Sequence, residues 1–149
     1  MPKLKVFIRL GLVKQWLLIR VFILSGVYRF KMLYLPFKYL KKQMGVAKSE
    51  SKKEVPLSYY EEARSIRNIV LLVCKHTPWE SKCLVQALLV QHFLQRKGIA
   101  TTLYLGVNKD KQDYLMAHAW IRCGEMIVTG QNEKDHFIEV AKFSNESLI

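Results

Sequence analysis

The chain has 149 residues, half of them hydrophobic and 24% charged, and 24 Lys and Arg against 12 Asp and Glu give it a formal net charge of +12. This length suits one globular domain that buries roughly 70% of its unfolded surface, and the composition excludes a disordered or fibrous chain. An odd set of three cysteines, Cys74, Cys83 and Cys123, with no paired spacing excludes a disulfide framework and fits free thiols and a cytoplasmic location.

The charge is unevenly placed. Residues 1–48 hold 11 Lys and Arg and no Asp or Glu, whereas the remainder holds 13 and 12. Residues 4–44 read as two or three basic amphipathic helices, with breaks expected at Gly26 and Pro36. The apolar run Trp16–Phe30 is interrupted by Arg20 and Arg29 and falls short of the ~20 apolar residues of a membrane span. No small-residue cleavage site follows it, so it does not read as a signal peptide. Three readings of these helices stand open: a solvated basic face around a helical core, a docking surface for partner proteins or an acidic peptide, and peripheral contact with an anionic membrane surface. Nucleic acid is disfavoured as a partner, because the segment carries no groove-reading motif and is rich in apolar residues.

The polar stretch Val46–Pro56 reads as a linker, giving a basic helical region over 1–48, a linker over 49–57 and a second unit over 58–149. Ser58 and Glu61 have capping-box spacing, and Ala63, Ile66, Ile69, Val70 and Val73 recur at helical spacing up to about His76. Pro78 ends that helix. A second runs from about Lys82 to Lys97, with Ser81 as the expected N-cap and Gly98 as its stop. Thr101–Val107, Leu115–Arg122, Glu125–Thr129 and Phe137–Phe143 then read as successive strands, with Asn108–Asp113 as a polar loop. Helices followed by an antiparallel meander predict an α+β domain.

Cys83 falls in the first turn of its helix. A helix N-terminus stabilises a thiolate, and its unpaired N–H groups can hold an oxyanion. The bland reading is a small core filler. Cysteine chemistry needs a base, and His118 is the best placed histidine: it lies mid-strand between Ala117 and Ala119, which leave room for a helix end. His76, His92 and His136 keep ordinary structural readings. A zinc site from Cys74, His76 and Cys83 lacks a second ligand pair at finger-like spacing. If Cys123 and Gly124 form the hairpin turn, His118 lies opposite Thr129; if Gly124 and Glu125 form it, His118 lies opposite Gln131. Either oxygen can accept a histidine N–H, and neither is a carboxylate. Trp79, four residues before Cys83, is a candidate for lining the site or donating its indole N–H, and equally for a hydrophobic plug. Trp120 is a second candidate for substrate contact and more simply a core residue.

"CLVQALLV" at a helix start, a Gly-terminated helix, a strand and then "AHAWIRCGEMIVTG" together resemble the transglutaminase-like cysteine protease family, and within it the leader peptidases of lasso peptide biosynthesis. The resemblance covers about Thr77 to Phe143, and "LPFKYL" in the basic region looks familial too. It implies a papain/transglutaminase-like core, in which a Cys-bearing helix packs on an antiparallel His-bearing sheet. It also implies a Cys–His–Asp peptidase that cuts the leader from a ribosomally made precursor, with Cys83 as nucleophile, His118 as base and no cofactor or metal. The family's Asp falls near Thr129 and Gly130, where this chain has none; Asp135 follows five or six residues later. The implied partners are the precursor peptide, a separate leader-binding recognition protein and a ring-closing cyclase. Two alternatives go with it: another acyl transfer on the same fold, such as transglutamination, and a non-catalytic scaffold that binds the precursor.

Overall fold

The computed structural model describes residues 8, 9 and 11–149. The beginning of the expected N-terminal helices, residues 4–7 with residue 10, lies outside the described residues. From Leu12 a single helix, α1 (Leu12–Tyr34), runs through Gly26 without a break. Gly26 serves a close approach instead: a Cβ there would lie 3.0 Å from Cζ2 of Trp79. Pro36 does end the helix, and α2 (Phe37–Met44) follows it.

The expected linker is tied to the sheet. Val46–Ala47 forms strand β1, paired with Ser144 and Phe143 of the last strand. Beyond it the Ser51 N–H donates to Thr102 Oγ1 at 2.8 Å. Arg122, 6% exposed, donates from Nη2 to the Ser51 carbonyl at 2.9 Å and from Nε to Tyr104 Oη at 3.0 Å. Its Nη1 donates to the Gly124 carbonyl, and Glu50 lies 3.6 Å from Nη2. A buried guanidinium is tolerated only when its N–H groups find acceptors. Here those acceptors come from the 50–51 segment, the strand residue Tyr104 and the turn at Gly124, so one side chain fastens all three.

α3 (Leu57–Cys74) starts one residue before Ser58, with Pro56 at the N-cap and no side-chain cap, so the Ser58–Glu61 box does not form. Ala63, Ile66, Val70 and Val73 are buried as their spacing predicts. α4 (Cys83–Gln95) is buried over most of its length. It meets α1, α3 and the sheet in one core that includes Val21, Ile66, Leu88, Leu94, Ile121 and Phe143. Leu40 and Met44 of α2 join the same core, and Gln91 of α4 donates to the Met44 carbonyl at 3.0 Å, satisfying an unpaired helix end.

Strands β2 (Thr102–Lys109), β3 (Leu115–Cys123), β4 (Met126–Thr129) and β5 (Ile138–Ser144) complete an antiparallel sheet. Its order is β1-β5-β2-β3-β4, so the strands do not form a plain meander. After β4 the one-turn helix α5 (Gln131–Lys134) carries the chain back across the sheet, and β5 pairs with the far side of β2. The architecture is α+β, a helical layer on a five-stranded antiparallel sheet.

Candidate active site

The Cys83 end of the site is a bare helix start. Lys82, not Ser81, is the N-cap residue, and no side chain caps the helix. Ser81 is held elsewhere: its hydroxyl bonds Thr77 Oγ1 at 3.0 Å, and its carbonyl accepts from Gln86 Nε2 at 2.9 Å. The first-turn N–H groups of α4 therefore have no side-chain acceptor and point past Cys83. Behind the cysteine, Ala87 is fully buried, which brings the helix axis close to the sheet. Of the three cysteines, only Cys83 is not buried. Burial pushes the Cys74 thiol up to about 11, and burial also raises Cys123 although Arg122 opposes it. Those two thiols stay protonated near neutral pH.

The His118 end is enclosed. The imidazole, 5% exposed, lies between Phe137 and Trp120, with ring centroids 5.0 and 5.9 Å away. Trp120 in turn stacks on Tyr104 at 5.6 Å, so the histidine sits within an aromatic row that runs from Phe137 to Tyr104. Nε2 lies 3.0 Å from the Gly130 carbonyl oxygen, and Nδ1 lies 3.4 Å from Glu133 Oε2. Both neighbours are acceptors. A neutral ring has one N–H and can donate to one of them, whereas an imidazolium donates to both. An acceptor thus faces each ring nitrogen of His118. No hydrogen bond joins His118 to Cys83 in this arrangement.

Neither hairpin register expected for His118 occurs. Cys123 pairs with Met126, so Gly124 and Glu125 are the turn, but the register shifts by one between Ile121 and Arg122. Thr129 consequently lies opposite Ile121, and β4 ends there, leaving His118 without a partner on that strand. Thr129 is buried and its hydroxyl has no hydrogen-bond partner; Gln131 is exposed at the start of α5. Asp135 is exposed and pairs with Lys134 Nζ at 3.0 Å, away from the imidazole.

The carboxylate at His118 is Glu133, which the strand pattern does not reveal. Gly130 adopts φ 79°. Having no side chain, it lets the chain pass where a Cβ would lie 2.7 Å from the Ala119 carbonyl oxygen and 2.9 Å from His118 Nε2. That left-handed turn ends β4 and starts α5, whose single turn brings Glu133 back over β3. A glycine after the strand with a glutamate three residues later was the available signal.

Trp79 donates its indole N–H to Ser25 Oγ at 3.0 Å and packs against Phe22 with centroids 5.0 Å apart. It is a plug joining the 78–82 loop to α1, and its N–H is already used. Trp120 is buried and acts on the site by walling His118. Among the described residues, no three His, Cys, Asp or Glu side chains group to hold a metal ion.

The family model described as the transglutaminase-like superfamily matches residues 28–142, from the middle of α1 to β5. Comparison with curated proteins and with solved structures gives no match.

Proposed function

This chain belongs to the transglutaminase-like superfamily, and from that premise we propose that it is a cysteine peptidase that cuts the leader from the ribosomally made precursor of a lasso peptide. Family membership supports the coarser statement, cysteine peptidase or acyltransferase chemistry. The finer reading rests on the resemblance of "CLVQALLV" and "AHAWIRCGEMIVTG" to the leader peptidases. The observation that supports the chemistry is the uncapped start of α4 at Cys83, on a helix packed against β3, the strand that carries the enclosed His118 and its two neighbouring acceptors.

In this reading the Cys83 proton passes to His118, and the thiolate attacks the scissile carbonyl. The negative charge that develops on oxygen is held by the first-turn N–H groups of α4. The imidazolium, held by Glu133 on one nitrogen, turns the other from Gly130 toward the reaction centre and protonates the leaving amine. Water then attacks the thioester, His118 takes its proton, and the freed leader acid departs. A separate leader-binding protein presents the precursor, and the released core peptide passes to a ring-closing enzyme.

The test mixes the purified chain with precursor and leader-binding protein and follows peptide mass. The expected result is two fragments whose masses sum to the precursor plus one water. An acceptor that gains the acyl fragment instead assigns the site to acyl transfer. Undiminished cleavage by Cys83→Ala would falsify the nucleophile.

A further inference from the structure

α1 is apolar on two opposite faces. One face, with Val21, Ser25 and Tyr28, lies in the core. On the other, Leu12, Trp16, Ile19, Ile23, Phe30 and Tyr34 recur at intervals of three, four and seven residues, which aligns them in one stripe. All six are exposed, from 40% at Ile19 to 81% at Leu12. A helix on the surface of a water-soluble domain presents polar residues there, whereas one that is apolar all round has both faces covered. The stripe spans about 33 Å at ~1.5 Å per residue, and the next helix, α2, also carries exposed Phe37 and Tyr39.

Charge selects what covers it. The 11 Lys and Arg of residues 1–48 face no Asp or Glu in that segment. Lys14 of α1 and Lys38, Lys41 and Lys42 of α2 are exposed, while Arg20 and Lys31 rest over the rings of Phe93 and Tyr28. A second copy would set two such cationic surfaces against each other. An anionic bilayer complements them: lipid headgroups meet the cations while the apolar line sinks ~5–10 Å into the interface. The aromatic residues sit toward both ends, Trp16 at one and Phe30, Tyr34, Phe37 and Tyr39 at the other, as interfacial anchors do. No helix among the described residues is long and apolar enough to cross a membrane, so the fitting geometry is a helix lying in the surface plane.

We infer that the exposed stripe of α1 docks this protein on an anionic membrane surface. This inference is independent of the chemistry at Cys83. The test uses the full chain and vesicles of phosphatidylcholine alone or with about one third phosphatidylglycerol, at about 0.1 M ionic strength. Trp16 is the reporter: it is 62% exposed, whereas Trp79 is hydrogen-bonded to Ser25 and Trp120 is buried. The anionic vesicles should bind at least about tenfold tighter than the neutral ones and shift Trp16 emission to the blue. Trp16→Phe should lose the shift while still co-sedimenting. Ile19→Gln with Ile23→Gln should weaken binding about tenfold or more without lowering the melting temperature, since both residues are exposed. Lys38→Gln and Lys41→Gln should each weaken it about fivefold. Equal binding to both vesicle types, or wild-type binding by the Ile19/Ile23 variant with its fold intact, would overturn the inference. A lipid-free dimer, or a protein partner, that shields Trp16 when anionic vesicles do not would overturn it too and assign the stripe to that occupant.

Discussion

The two ends of the candidate site are built in opposite ways. Cys83 stands half-buried on a helix start that no side chain caps, so the nucleophile role proposed for it rests on backbone and on what is left open. His118 is closed in by Trp120, Phe137, Gly130 and Glu133, so its behaviour comes from side chains brought together over long stretches of chain. The contrast shows which parts of such a site tolerate change. The proposed nucleophile depends on one residue and a local conformation, and the proposed base depends on a turn at Gly130 that leads the chain back over the sheet.

The largest effect separates the two ends directly. Cys83→Ala and His118→Ala should each lower peptide cleavage by about 10³–10⁴-fold. They should differ in alkylation: the His118 variant retains a thiol at position 83 that still takes up iodoacetamide, and the Cys83 variant loses the fast-labelling site. Mass-mapped labelling checks this. Equal rapid labelling in both variants would mean that the reactive thiol is elsewhere.

The next effect compares the cysteines within the wild-type chain. With its thiol pushed from 9.0 to about 11 by burial, Cys74 carries about a hundredfold less thiolate at pH 8 than an unshifted thiol. Cys123 is raised in the same direction. Raising pH increases the thiolate fraction of any thiol until its pKa is passed, so labelling of Cys74 should keep climbing above pH 10. Cys83 should be modified first at pH 8, by at least tenfold in rate, and quantitative mass spectrometry of the three peptides reads the order.

How much was legible in the sequence follows the same division. α3, α4 and β2 to β5 emerge within a few residues of the expected spans, because each is set by its own periodicity and by Pro78 and Gly98. Cys83 at a helix start was legible for the same reason. What was not legible depended on pairing. A one-residue register shift at Ile121 moved Thr129 away from His118. Glu133 became the nearby carboxylate through a single turn of helix that a strand pattern does not encode. Gly26 looked like a helix break and is a contact point for Trp79, which lies 53 residues further on. The stretch read as a linker is tied down at two places by distant residues: Val46–Ala47 pairs with β5, and the Ser51 carbonyl accepts from Arg122.

Glu133 sharpens the comparison at the His118 end. Its carboxylate is 68% exposed, so water weakens its hold on the imidazolium. Glu133→Gln keeps the shape and an acceptor oxygen but removes the charge. It should lower kcat about tenfold, less than the loss expected for a buried aspartate, and leave KM within about twofold. Glu133→Asp should recover part of the rate. An unchanged kcat would return the positioning role to the Gly130 carbonyl.

Thr129 offers the smallest effect and the cleanest separation of structure from chemistry. Its hydroxyl is buried and finds no partner, unlike the other buried polar side-chain atoms of the described residues. A hydroxyl removed from water without a compensating bond costs about 1–3 kcal/mol. A methyl of similar size in its place removes that penalty. Thr129→Val should therefore raise unfolding stability by up to about 1 kcal/mol and leave cleavage within about twofold, since the opposite residue is Ile121 and not His118. Denaturant unfolding and a kinetic assay on the same preparation decide it. A large loss of kcat at unchanged stability would mean that the hydroxyl turns toward His118 during the reaction, and would restore to Thr129 the role that its place near the family's aspartate suggests.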